Sequence, residues 1–435
     1  MLVGLIMIAG MVGAAAGAVA YAHRWMVTAV AGEQSIAPPL KLLWDRSPIW
    51  FERWNPGGFS ESPSRRLTMG PDGFVTVVRR NLYGLDRRTG RVQWRLPLRG
   101  EEIFDWQVLG DTFVYASYGR ERYERFWGIR AAIDLRQRRE IWVQTPPTPY
   151  LLKEWCIVYG RLVVFGNDAA NEVVALGLAD GTERWKAAQQ GDHDYVVRAS
   201  WFVQGDVLYV LAGHKKQAGL FLKSFDLANG RELPLVHLFG NDVVSNIYVP
   251  SAIIGDDTLL AEYDAFRVEK SSIIAYDIRS KRLRWETELD HGMHRKDYQP
   301  WGARRIAVST IPGEPVMATY RPNRYVLLDP LTGVVLKDTV LPGYVGWTDH
   351  NAVLYSYPYL FTSGRRAIDT GMAYDLVALN LETGKVDWAR EIERRSETFL
   401  TARAEILNFL AVDRDIYLAR SDANTMAFRG SSRPR

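Results

Sequence analysis

Ala378-Leu379-Asn380-Leu381-Glu382-Thr383-Gly384-Lys385-Val386-Asp387-Trp388 is the stretch that decides the fold. An apolar strand-like run ends at Asn380, Thr383-Gly384 reverses the chain, and a second run carries Trp388. Together they spell a hairpin. The same pattern recurs along the chain, headed by Asp86, Asp134, Gly177, Asp226, Asp277 and Asp329. Trp94, Trp142, Trp185, Trp285 and Trp388 each lie eight residues after the head of their copy. The copies headed by Asp226 and Asp329 depart from the pattern, with Pro234 and Lys337 at the Trp position. Successive heads are 48, 43, 49, 51, 52 and 51 residues apart.

Upstream of each hairpin lie two more strand-like runs, such as 160–168 and 205–213. Four strands in about 49 residues make one blade of a propeller. The chain ends allow closure. Asp415 to Arg429 supplies two strands but no Trp arm, and Arg429 falls 49 residues after Asn380, on the beat of the repeat. Leu42-Leu43-Trp44 reads as an outer strand without a blade of its own. Joining the two completes an eighth blade and removes the open edge. The expected fold is therefore all-β: an eight-bladed propeller of four-stranded blades, closed by the N- and C-terminal strands. The Trp residues, Trp44 included, are expected to pack between neighbouring blades.

This repeat resembles the PQQ-type repeat of quinoprotein propellers and their non-catalytic relatives. The resemblance covers about Pro38 to Arg429. It also extends to the propeller component of the outer-membrane β-barrel assembly machinery, which is non-catalytic, extracytoplasmic and a lipoprotein. The family's enzymes are quinone-dependent dehydrogenases whose cofactor site typically has a vicinal Cys-Cys disulfide, and this chain has one cysteine, Cys156. No matched set of Glu, Asn and Asp stands out as calcium ligands. The resemblance thus implies a propeller without a cofactor and without catalysis.

Composition agrees with a packed β protein: 47 % of the 435 residues are hydrophobic and 12 % aromatic, with 36 Gly and 20 Pro. The 54 basic and 50 acidic side chains leave a net charge of +4 and form no basic block, which argues against a nucleic-acid partner. Cys156 rules out an intramolecular disulfide and a thiolate cluster, and its apolar neighbours mark it as a buried small hydrophobe. No GxSxG, HExxH or P-loop motif is present.

Leu2 to Ala22 carries no charge. As a helix, 21 residues rising about 1.5 Å each cross a hydrocarbon core of about 30 Å. No basic residue precedes the run, which favours a retained anchor over a signal peptide, although Ala20-Tyr21-Ala22 and Ala29-Val30-Ala31 both resemble cleavage sites. Ala9, Gly13 and Gly17 form a small-residue face suited to close packing of a second helix. The organisation expected is an anchor or signal peptide over 1–24, a linker over 25–37, the propeller over 38–430 and a polar tail over 431–435. Arg24 alone would place the propeller in the cytoplasm, but a large domain translocates regardless of one charge. Related propellers are mostly exported, so the expected location is membrane-anchored and extracytoplasmic.

Three blade-to-blade connections carry Asp-His pairs: Asp192-His193-Asp194, Asp290-His291 with His294 and Asp297, and Asp349-His350-Asn351. His193, His291, His294 and His350 map to one face and form a candidate site for Zn²⁺ or another divalent metal. The same residue types are also common in exposed turns. Arg120 to Trp127 reads as a contact loop or as two twisted strands with solvated charges. Arg365-Arg366 and Arg394-Arg395 read as solvated loops. The function expected is a non-catalytic, membrane-anchored propeller that binds other protein subunits of a membrane complex. The alternative is a metal- or quinone-dependent oxidoreductase using the Asp-His loops.

Overall fold

The computed structural model describes residues 29–30, 36–46, 67–78, 80–120, 126–146, 154–167, 172–188, 195–196, 201–214, 220–239, 244–254, 257–265, 270–290, 305–309, 313–321, 324–340, 342–344, 354–369, 371–396, 408–412, 415–419 and 425–432. These residues form eight sheets, one for each copy of the repeat and one for the closure. Blades 1 to 7 occupy 68–97, 102–144, 154–188, 195–239, 244–290, 305–340 and 354–396 in sequence order. Blade 8 takes three strands from the C-terminus, Asn408–Val412, Asp415–Ala419 and Thr425–Ser432, and its outer strand, Ile36–Arg46, from the N-terminal region. No edge is left for further growth around the ring.

First strands of neighbouring blades lie against one another, so they line the axis. Glu154–Tyr159 touches Glu102–Leu109, and Asn408–Val412 touches Leu354–Ser356. Side chains stitch this inner wall. Buried Asp105 accepts hydrogen bonds from the backbone N–H of Trp106 in its own strand and of Cys156 in the next blade, at 2.9 and 3.0 Å. Gln107 accepts another from Val158 N–H at 2.9 Å. Cys156 is buried, as its apolar neighbours indicate.

Where the head of a hairpin is Asp, its carboxylate closes the turn. Asp86 Oδ1 accepts from the backbone N–H and the hydroxyl of Thr89, at 2.7 and 2.6 Å. Thr332 does the same for Asp329. The bond from the Thr hydroxyl holds both carboxyls below the usual range, because it stabilises the ionised form. The residue after the head ties this turn to the first hairpin of the same blade. Leu178 N–H donates to Arg161 O, Leu227 to Asp206 O, Ile278 to Asp257 O and Leu381 to Pro358 O, all at 2.8 to 2.9 Å. First-hairpin turns and Asp turns therefore share one face, the turn face. Fourth strands end, and the first strands of the next blades begin, on the opposite side, called the connection face.

The ordered ladder begins earlier and ends later than the sequence organisation anticipates. Ile36 and Ala37 pair with Ser432 and Ser431, so part of the expected linker and tail belongs to blade 8. Ala29–Val30 adds a fifth, parallel strand on the inner side of blade 7. The expected anchor over 1–24, with Ala9, Gly13 and Gly17, lies outside the described residues. Among the described residues, no helix is long and apolar enough to cross a membrane. The arginine pairs are not loops. Arg365 and Arg366 lie in the strand Tyr359–Ile368, and Arg394 and Arg395 in Lys385–Ser396. Arg366 bonds Asp375 at 3.0 Å and approaches Glu391 at 3.6 Å. The strands Thr112–Arg120 and Phe126–Asp134 pair up to Arg120 and Phe126, as the twisted-strand reading has it.

Candidate functional site: the outer edge of blade 6

The outer strands show what holds blades together and where blade 6 differs from most of the others. Every Trp of the series sits opposite a small residue two positions before a hairpin head: Gly84, Ala132, Ala175, Ala275, Ala378 and, for Trp44, Ala427. The small partner leaves room for the indole to turn toward the next blade. There the indole N–H donates to the carbonyl of the residue after the hairpin head. Trp44 reaches Arg87 at 3.3 Å, Trp142 reaches Leu178 at 2.9 Å, Trp185 reaches Leu227 at 2.7 Å and Trp285 reaches Pro330 at 3.1 Å. Trp94 instead lies under the Arg138 guanidinium, 5.6 Å from the ring centroid. Trp388 meets Phe428 of blade 8 edge-on.

The ring needs a bare turn below it. Gly90, Gly181, Gly230 and Gly333 have φ near +70°, and a Cβ on any of them would come within 2.6 Å of the docked Trp. Two positions past the Trp, a polar side chain adds a second bond to that turn. Gln144 donates to Gly181 O and Thr287 to Gly333 O, both at 2.5 Å.

Blade 6 lacks this apparatus. Lys337 faces Leu327 where six of the other blades have Trp, blade 4 with Pro234 being the second exception. Thr339 corresponds to Thr287, yet its buried hydroxyl has no hydrogen-bond partner. A Cβ on Gly384, the facing turn glycine of blade 7, would meet Thr339 at an ordinary 3.4 Å. Pro330, after the head Asp329, has no N–H to bind its own first hairpin.

The outer strand of this blade, Val335–Val340, is also apolar on the outside. Leu331 is 76 % exposed, Val334 59 %, Leu336 52 % and Val340 50 %, with Val335 exposed beside them. Four of the corresponding strands carry charges at exposed positions: Arg139 and Glu140 in blade 2, Glu183 and Arg184 in blade 3, Arg282, Glu286 and Glu288 in blade 5, Lys385 and Asp387 in blade 7. The short outer strand of blade 4, Val236–Phe239, carries none. Charge on an outer strand keeps other chains from pairing with it. In blade 6, Asp338 is held by Arg324 of its own sheet at 2.7 Å, which leaves Lys337 to supply charge along the strand. Among the described residues no strand lies on the outer side of Val335–Val340. An open ladder edge flanked by apolar side chains is chemically a receptor for an extended peptide.

His193, His291, His294 and His350 lie outside the described residues. Among the described residues, no group of three His, Cys, Asp or Glu is placed to hold a metal. The exposed apolar strand escaped sequence reading because Val334, Val335 and Leu336 look like any buried strand until the outer position of the blade is known. The one available signal was the missing Trp at Lys337.

A family profile described as outer membrane protein assembly factor BamB matches residues 41–286, more than half of the chain. The chain belongs to this family. Its fold is shared with solved propellers of low sequence identity. BamB from Moraxella catarrhalis is 14 % identical with a TM-score of 0.54, covering 84 % of this chain and 96 % of that one. The computationally designed Ika8 protein is 12 % identical with a TM-score of 0.54, covering 92 % and 99 %. The quinohemoprotein alcohol dehydrogenase ADHIIG from Pseudomonas putida HK5 is 11 % identical with a TM-score of 0.51, covering 94 % and 79 %. No curated protein matches the chain.

Proposed function

We propose that this chain is a non-catalytic scaffold subunit, anchored on the extracytoplasmic side of a membrane, that holds a protein partner of an outer-membrane assembly complex. The observation that carries this reading is the exposed apolar outer strand of blade 6, beyond which no strand lies among the described residues, with no Trp lock to blade 7. The partner contributes an extended strand that adds to Val335–Val340. Its main chain completes the ladder, and its alternate side chains cover Leu336 and Val340. Membership in the assembly-factor family supports a partner that is itself part of such a machine.

The test is native mass spectrometry of the full-length protein extracted from its own membranes in mild detergent. A stoichiometric assembly-machine subunit that disappears in Leu336→Lys, while the melting temperature stays unchanged, supports the proposal. Retention of that subunit in Leu336→Lys and Val340→Glu moves the contact elsewhere. A lone chain in the wild type ends the scaffold reading.

A further inference from the structure

The path of the chain into blade 8 shows which way the propeller faces. Ala29 and Val30 run parallel to Leu354 and Tyr355, on the axial side of the first strand of blade 7. They also touch Asn408–Val412, the first strand of blade 8. Leu354–Ser356 begins at the connection face and ends at the Tyr357-Pro358 turn, because Ser356 pairs with Tyr359 across that turn. A parallel partner runs the same way. The chain therefore arrives at Ala29 from the connection face and descends beside blade 7.

The next described residues confirm that direction. Ile36 lies at the foot of that strand, its N–H donating to Ser356 Oγ at 2.7 Å and its carbonyl accepting from the same hydroxyl at 3.3 Å. From there Ile36–Arg46 climbs back as the outer strand of blade 8, from Ser432 toward Thr425. The protein is thus latched twice by its N-terminal region, once on the axis and once on the rim.

The apolar run Leu2–Ala22 ends six residues before this latch begins. Residues 23–28, fully extended, span about 20 Å. The ten-residue strand Gly371–Asn380 crosses blade 7 from face to face, and ten residues of strand measure about 33 Å. The tether is too short to carry the run to the turn face. We infer that the lipid surface lies against the connection face, with blades 7 and 8 nearest to it, and that the Asp turns point away into water. This inference rests on the anchor being retained. It also places the apolar strand of blade 6 next to the anchored blade, so a partner bound there sits at the membrane. Ala29 and Val30 are built into blade 7, so cleavage after Ala31 would remove a strand of the fold.

The experiment uses the full chain in vesicles containing spin-labelled phospholipid. Exposed Asp369, at the connection end of blade 7, and exposed Thr383, in the turn headed by Asn380, are each changed to cysteine and labelled with an environment-sensitive fluorophore. Buried Cys156 is replaced by Ala. The expected result is severalfold stronger quenching at position 369 than at 383, and loss of that difference when a long Gly/Ser segment is inserted between Arg24 and Trp25. Equal quenching, stronger quenching at 383, or a difference that survives the insertion overturns the inference while the anchor stands. Intact mass of the membrane-extracted protein reads the anchor separately. A mature chain beginning after Ala22 overturns the anchor reading and this orientation together.

Discussion

Blades 5 and 6 are built from the same repeat, and their junctions with the next blade differ in the contacts of their outer strands. At the junction from blade 5 to blade 6, Trp285 donates to Pro330 O, its ring covers Gly333, and Thr287 bonds Gly333 O. At the junction from blade 6 to blade 7, Lys337 replaces the Trp, and the Thr339 hydroxyl is buried without a partner next to Gly384. One junction is locked by burial and two directed bonds. The other is held by the inner layers of the blades, where Tyr325 and Leu327 of blade 6 pack with Leu379 and Leu381 of blade 7. The difference teaches that the Trp repeat is not required at every junction for the ring to close. Where it is missing, the outer strand is free to serve something else, and here that strand is the apolar one.

The comparison is broken most directly by removing the lock. Trp285→Ala empties a buried site and is expected to cost about 3–5 kcal/mol, whereas Lys337→Ala changes stability by about 0.5 kcal/mol or less. Denaturant unfolding of both variants checks this, and equal losses would mean that the inner layers carry both junctions. Next in size is the turn glycine. Gly333→Ala strains a positive φ and drives a Cβ to 2.5 Å from the Trp285 ring, for an expected loss of about 3 kcal/mol. Gly384→Ala meets Thr339 at an ordinary contact distance of 3.4 Å and suffers only the left-handed backbone strain, about 1 kcal/mol. Calorimetric melting points should separate the two.

The threonines sharpen the contrast by sign. Thr287→Val loses a bond to Gly333 O and leaves that carbonyl short of a partner, a loss of about 1 kcal/mol. Thr339→Val removes an unsatisfied hydroxyl, so it is expected to be neutral or to stabilise by up to about 1 kcal/mol. A loss at both positions would show that Thr339 has a partner in solution.

The smallest effect concerns pH. Backbone N–H donation from Ser280, helped by Arg284, lowers the Asp277 carboxyl to about 2. A carboxyl lowered on folding contributes stability that is present above its unfolded value, about 3.9, and that fades as pH falls through the folded value. Wild type should therefore lose stability between about pH 4 and pH 2, and Asp277→Asn should flatten that slope slightly. An unchanged slope would assign the acid sensitivity to other turns.

Much of this was legible in the sequence because it is local. The spacing of heads and Trp residues contains the hairpin, the blade and the number of copies. Arg429 on the beat, with Trp44 far upstream, was enough to expect the closure that Trp44 opposite Ala427 displays. Even the departures at Pro234 and Lys337 were visible. Pro234 removes a ladder donor, and the outer strand of blade 4 begins two residues later, at Val236.

Other features were hidden because they depend on which chains the ring brings side by side. Ala29-Val30 has no periodicity to mark it as a strand; it is a strand because the inner edge of blade 7 offers it a parallel partner. Arg366 reads as a solvated loop residue until Asp375 faces it across the sheet. The carbonyls that receive the indoles lie some 36 to 45 residues from the Trp in sequence, and only the curvature of the ring aligns them.

The amino-acid sequence by itself determined the unit: where each strand stops, what turns it, and which residue projects toward the neighbour. Those features depend on backbone preference and side chains within a few residues of one another. The tertiary structure alone decided exposure and direction. Whether Leu336 is core or surface, and from which side the N-terminal segment approaches, depends on solvent and neighbours that no stretch of sequence contains.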